Sequence, residues 1–105
     1  TVAALSEGKV VAANIFTTTP AITKNDLVVL ADPNNNFPAQ NVVPLFRADK
    51  RSDKLVAVLD AVSAKLTTDD LLALNDAVAG DGGQQEPDEA AAEWVSANGF
   101  DKPIG

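Results

Sequence analysis

Two short apolar runs, Leu27-Val28-Val29-Leu30 and Val42-Val43-Pro44-Leu45-Phe46, flank a polar loop that contains Asp32-Pro33-Asn34-Asn35-Asn36-Phe37-Pro38. Apolar runs of this length between turn formers fit strands covered on both faces, as in a parallel or mixed α/β sheet. The pattern therefore predicts strands over residues 27–30 and 42–46. The loop between them is the most chemically varied part of the chain. Loops fixed by a sheet are where binding groups concentrate, so function is sought there and in the Phe16-Thr17-Thr18-Thr19-Pro20 segment just upstream.

The remaining elements follow in chain order. Residues 1–7 read as the last turns of a helix, stopped by Gly8. Such a beginning suggests a piece of a longer polypeptide, either mature or trimmed. Residues 9–16 carry β-branched side chains near each end and predict another strand. Thr17-Thr18-Thr19-Pro20 ends it, and a short helical turn over residues 20–24 is expected, with Thr19 as its cap.

Three helices are expected after the second apolar run. Ser52 caps the first, which aligns Leu55, Val58, Leu59, Val62 and Leu66 on one face. Thr67 and Asp70 open the second as a variant capping box, Asp replacing the usual Glu or Gln. Leu71, Leu74 and Val78 form its apolar stripe, Gly80 ends it, and residues 81–85 read as a surface loop. Pro87 opens the third, Asp88 and Glu89 complement its dipole, and Asn98-Gly99 closes it. Trp94 is placed on its inner face beside Ala90, Ala91 and Ala97. Two or three strands make a poor sheet alone, because their outer faces and edges stay bare. The missing strands are expected from another chain or from further sequence.

Composition removes several function classes. The 105 residues hold 8 basic and 15 acidic side chains, a formal net charge of −7, with no cluster of cations. Phosphate backbones require such clusters, so a nucleic-acid partner is not expected. The chain contains no Cys and no His. Thiolate chemistry, disulfides and imidazole bases are therefore out of reach, and no metal or other cofactor is expected. No apolar run approaches the ~20 residues that span a bilayer.

The candidate chemical motifs are weak. Asp32-Pro33-Asn34-Asn35-Asn36 places oxygens at alternate positions like the start of a calcium loop. Phe37, however, stands where an EF-hand requires Gly, and Val43 where it requires Glu. Glu86, Asp88, Glu89 and Glu93 are better explained as a solvated helix face than as an acid–base pair. There is neither a glycine-rich phosphate loop nor a nucleophile elbow. No enzyme activity is expected.

An ordered series of segments resembles one family. It runs through Glu7-Gly8-Lys9-Val10, Ala13-Asn14-Ile15-Phe16-Thr17-Thr18-Thr19-Pro20-Ala21-Ile22 and Asp26-Leu27-Val28-Val29-Leu30-Ala31-Asp32-Pro33. It continues through Phe37-Pro38, Asn41-Val42-Val43-Pro44-Leu45, Ala61-Val62-Ser63-Ala64-Lys65-Leu66-Thr67-Thr68-Asp69 and Ala92-Glu93-Trp94-Val95. Together these are similar to the substrate-binding proteins of osmoprotectant ABC importers, which carry glycine betaine, choline and related quaternary ammonium compounds.

The resemblance implies an α/β fold: the C-terminal part of a type II periplasmic-binding-protein, two-lobed venus-flytrap fold, with few strands flanked by about four helices. On it, residues 1–16 end the second lobe, residues 17–23 cross the hinge, and residues 24–105 complete the first lobe. The implied role is solute capture outside the cytoplasmic membrane, periplasmic or at the cell surface, with a lipid anchor on preceding sequence. The solute then passes to the membrane subunit of the transporter. The implied partners are an osmolyte, that permease, and either the preceding part of the same protein or a second copy. The alternative reading is a non-catalytic protein-interaction or regulatory domain built on the same half-lobe.

Binding residues are implied one at a time. Family members often hold the ammonium in a cage of tyrosines, a cation–π arrangement. The cage position before the threonines corresponds to Phe16, and the one after Phe37-Pro38 corresponds to Gln40. Thr19 stands where the family commonly has Asp; Thr17, Thr18 and Asn41 complete the implied ligand-binding set. The chain contains no Tyr, so ligand identity is the least constrained part of the implication.

Overall fold

The computed structural model describes residues 1–79 and 85–103. Among the described residues five α-helices succeed one another: α1 (Val2–Ser6), α2 (Ala21–Lys24), α3 (Asp53–Lys65), α4 (Thr68–Ala79) and α5 (Pro87–Ala97), with a 3-10 turn at Ala48–Lys50 between α2 and α3. The expected starts of α3 and α4 are realised in detail. The Ser52 hydroxyl accepts from the Leu55 amide at 3.2 Å. At the start of α4 the Thr67 amide donates to Asp70 Oδ2 (2.8 Å) and the Asp70 amide to Thr67 Oγ1 (3.1 Å). That is the reciprocal capping box, built with a shorter acid.

Three helices end in the same way. At α5 the Gly99 amide donates to the Ser96 carbonyl (3.0 Å) and the Phe100 amide to Val95 (2.9 Å), with Gly99 at φ 75. This is a Schellman motif, in which a left-handed residue lets the chain turn back on the last carbonyls. Gly8, at φ 69, does the same for α1 through Gly8→Leu5 (3.0 Å) and Lys9→Ala4 (2.8 Å). At α2 the left-handed residue is Asp26, φ 50, with Asp26→Thr23 at 3.3 Å and Leu27→Ile22 at 2.9 Å.

Several sequence expectations are corrected. Thr19 does not cap α2; Pro20 occupies that position without a side-chain hydrogen bond, and Thr19 instead offers its carbonyl to the Ile22 amide (3.1 Å). Ala91 and Ala97 are exposed, so the inner face of α5 consists of Ala90, 4% exposed, and half-buried Trp94 and Val95. The expected end of α4 at Gly80 and most of the loop over residues 81–85 lie outside the described residues.

The α/β expectation meets its main difference in the three apolar segments. Among the described residues no strand forms over residues 9–16, 27–30 or 42–46. Between described residues, no backbone hydrogen bond involves residues 28–31 or 38–46. The cause is pairing rather than propensity: a strand exists only against another, and isolated short segments cannot offset the ordering entropy. Pro38 and Pro44 also remove ladder donors. The chain is consequently open. Its radius of gyration is 17.2 Å, against about 13 Å for a compact domain of this length.

What packing exists is helical. α4 lies against α5. Leu55, Val58, Leu59, Val62 and Leu66 of the α3 stripe, and Leu71, Leu74 and Val78 of α4, are all half-buried.

Candidate functional site: a turn and groove on helix α4

The segment from Phe16 to Thr19 is a single tight turn closed by the Thr19 amide on the Phe16 carbonyl at 3.0 Å. Its position is set from a distance. Asn75, in α4, donates its side-chain amide to the Thr18 carbonyl at 2.9 Å. Thr18 and Thr19 are half-buried by this docking, whereas Thr17 is exposed and the Phe16 ring stands out at 70% exposure. An aromatic face is thus held in solvent by a turn anchored to a helix.

Directly after the turn, α2 leans on the same helix. Pro20, Thr23 and Lys24 on one side and Asp69, Leu72, Ala73 and Asp76 on the other enclose a groove of about 330 Å³. The Lys24 ammonium lies 2.8 Å from Asp76 Oδ1, an oxygen that is itself buried. Both side chains remain substantially open to solvent, so the pair contributes at most about 1 kcal/mol. Ser6 of α1 adds a further tie, its hydroxyl donating to Asn25 Oδ1 at 3.2 Å.

Gln40 and Asn41 lie elsewhere in character. Both are exposed, in a segment without regular structure. The loop before them is self-organised around Asp32. Its Oδ2 accepts from the Phe37 amide (2.8 Å), its Oδ1 accepts from the Asn36 side chain (3.2 Å), and its carbonyl accepts from the Asn35 amide (3.2 Å). The Phe37 amide foremost, then the backbone amide and side chain of Asn36, hold the Asp32 carboxyl below its ordinary value. The oxygens that resembled a calcium loop are therefore turned to closing a turn. Among the described residues no cluster of acidic side chains suits a metal ion.

The structure brings Phe16, Thr17, Thr18 and Thr19 together as one turn. Gln40 and Asn41 belong to a separate loop. Sequence reasoning missed Asn75, Lys24 and Asp76. The available signal was Asn75 itself, a poor helix former in mid-helix, which asks for a compensating bond outside the helix.

A family model described as OpuAC, the substrate binding domain of ABC-type glycine betaine transport systems, matches residues 1–97. The chain belongs to that family. Comparison with curated proteins and with solved structures yields no match. Membership assigns a substrate-binding role in an ABC-type glycine betaine transport system, with a small-molecule ligand and a membrane permease as the associated partners. The family is one of transport binding proteins rather than enzymes, and such proteins work outside the cytoplasmic membrane. No helix among the described residues is long and apolar enough to cross a membrane.

Proposed function

We propose that this chain captures a quaternary ammonium osmolyte, glycine betaine or choline, and delivers it to the membrane permease of an ABC importer. The observation that carries the reading is the family match over residues 1–97. It is supported by the exposed Phe16 ring on an anchored turn, since a cation is attracted to the face of an aromatic ring. Phe16 supplies one wall of the site, Thr17, Thr18 and Thr19 supply hydroxyls and carbonyls at its edge, and Gln40 and Asn41 approach from the opposing loop.

On this reading residues 1–16 belong to one lobe of a venus-flytrap fold, residues 17–23 form the hinge, and residues 24–105 belong to the other lobe. The segments 9–16, 27–30 and 42–46 become strands when the remaining sheet is supplied by preceding polypeptide, which also carries any lipid anchor. Closure of the lobes then removes the ligand from water.

One aromatic face contributes about 0.5–2 kcal/mol to a bound cation, whereas even millimolar affinity requires about 4.1 kcal/mol. The 105-residue chain alone therefore binds weakly. Nuclear magnetic resonance titration with choline is expected to move the signals of Phe16, Thr17, Thr18 and Gln40 without reaching saturation in the micromolar range. Silence at all four positions at high choline concentration would overturn the site. Micromolar affinity would overturn the division into lobes.

A further inference from the structure

The geometry points to Asn98-Gly99 as a modification site: an asparagine primed for deamidation that the end of α5 holds shut, and whose reaction releases that end irreversibly. Deamidation begins with attack of the following backbone nitrogen on the side-chain carbonyl carbon. A Cβ on the following residue crowds the attack, and glycine has none. Asn98 is the one asparagine of the chain that precedes a glycine; every other precedes a residue with a side chain.

The bonds balance with water as the sole co-reactant. The Gly99 nitrogen gives its proton to solvent and bonds to Cγ of Asn98. The Cγ–Nδ2 bond breaks, and ammonia leaves after taking a proton from solvent. The cyclic imide then adds water at one of its two carbonyls, which leaves an aspartate or an isoaspartate in place of Asn98. Nothing is oxidised or reduced.

In the folded chain three features oppose the first step. The half-buried Asn98 side chain turns back along the helix and donates from Nδ2 to the Trp94 carbonyl at 2.9 Å. The Gly99 amide donates to the Ser96 carbonyl at 3.0 Å, which keeps its proton in place. Asn98 also has ψ 3. Ring closure needs the Gly99 nitrogen nearly eclipsed with the Asn98 Cβ, a rotation of about 120° from there by tetrahedral geometry. The Schellman motif that closes α5 is thus the lock on this chemistry. Modification proceeds from the fraction of molecules whose last turn has opened.

The product does not relock. Loss of Nδ2 removes the donor to the Trp94 carbonyl and puts a carboxylate beside the last carbonyls of α5, where the helix dipole disfavours negative charge. An isoaspartate also lengthens the backbone by one carbon and moves the Gly99 amide out of register with Ser96. Trp94 and Phe100, stacked across this turn at 5.9 Å, then lose the backbone that aligns them. The pair therefore acts as a one-way record of opening at the end of α5. All of these contacts lie within residues 94–100, so the inference is independent of the ligand reading.

The test is peptide mapping by mass spectrometry of the full 105-residue chain after incubation in mildly alkaline buffer, folded and in urea. A gain of one dalton at Asn98 is expected, at least about tenfold slower in the folded chain than in urea. Phe100→Ala is expected to speed the folded reaction by about 2- to 10-fold and to leave the rate in urea unchanged. Asn98→Asp mimics one product, and is expected to shift Trp94 emission to the red and to accelerate amide exchange at Gly99 and Phe100 while α3 amides keep theirs. Equal rates in the folded and urea-treated natural chain overturn the lock. Faster modification of another asparagine in urea overturns the choice of site. Natural exchange at Phe100 in the Asn98→Asp chain overturns the release.

Discussion

The side-chain amide of Asn75, in the middle of α4, donates to the carbonyl of Thr18 at 2.9 Å and so spans 57 positions of sequence. It ties the turn that displays Phe16 to the helical part of the molecule. A mid-helix Asn is a weak choice for local helix stability. Here the bond it makes outside the helix offsets that choice.

Asn75→Ala is expected to lose the hydrogen bond, about 1 kcal/mol, while the better helix propensity of Ala returns about 0.5 kcal/mol, so that the chain is destabilised by about 0.5 kcal/mol. Urea denaturation followed by Trp94 fluorescence reads the loss. Because the bond fixes the turn, amide exchange at Thr19 is expected to accelerate by more than the global change explains. Unchanged exchange at Thr19 would show that the turn holds itself.

Asp26 closes α2 with φ 50, where α1 and α5 place Gly8 and Gly99. A left-handed conformation strains a residue with a Cβ, while Gly adds disorder to the unfolded chain. The two effects partly cancel, and Asp tolerates the region better than most residues. Asp26→Gly is therefore expected to stabilise the chain by about 0.5 kcal/mol. Thermal unfolding is the measurement; a lower midpoint would show that the Asp26 side chain makes a contribution larger than its strain.

The helices were legible in the sequence because each is specified locally. Ser52, the Thr67–Asp70 pair, Pro87 and Asn98-Gly99 mark ends that the structure reproduces, and Leu55 through Leu66 mark the face of α3. The strands were read from the same kind of pattern, but a strand is specified by its neighbour. Leu27 to Leu30 and Val42 to Phe46 keep their apolar character and lack the partner that would give it meaning. Phe16 was legible as an aromatic before the threonines through family resemblance. Its anchoring by Asn75 was not, since no local pattern links residues so distant in sequence.

The capping box gives a pH dependence with a definite sign. The Asp70 carboxyl is held below its ordinary value of 3.8 first by the Thr67 hydroxyl and then by the Thr67 amide. The buried Trp94 indole nitrogen also lowers it, although that nitrogen falls short of good hydrogen-bond geometry. A carboxyl with a lowered folded value stabilises the fold above its unfolded value and loses that contribution as pH falls through the folded one. The stability gap between the natural chain and Asp70→Asn is thus expected to be full at neutral pH and to close below about pH 3.8. Asp32 follows the same sign through the Phe37 amide. A gap that persists unchanged into strong acid would remove the charge from the explanation.

Trp94 and Phe100 stack at 5.9 Å between centroids with 23° between their planes. They sit on the two sides of the Schellman motif, Phe100 just beyond the left-handed Gly99 and Trp94 one turn back in α5. The backbone turn and the ring pair therefore support each other. Phe100→Ala is expected to remove about 0.5–1.5 kcal/mol from the ring pair beyond the loss of buried area. It is also expected to shift Trp94 emission to the red as water reaches the indole. Gly99→Ala leaves both rings in place but puts a Cβ at φ 75, where nothing crowds it within 4 Å. Its direct cost is backbone strain, about 1 kcal/mol. If ring and turn are coupled, the double variant costs less than the two single changes added together, because either one alone already loosens the other. Strict additivity, measured by urea denaturation of all three variants, would mean that the stacking and the turn stand independently.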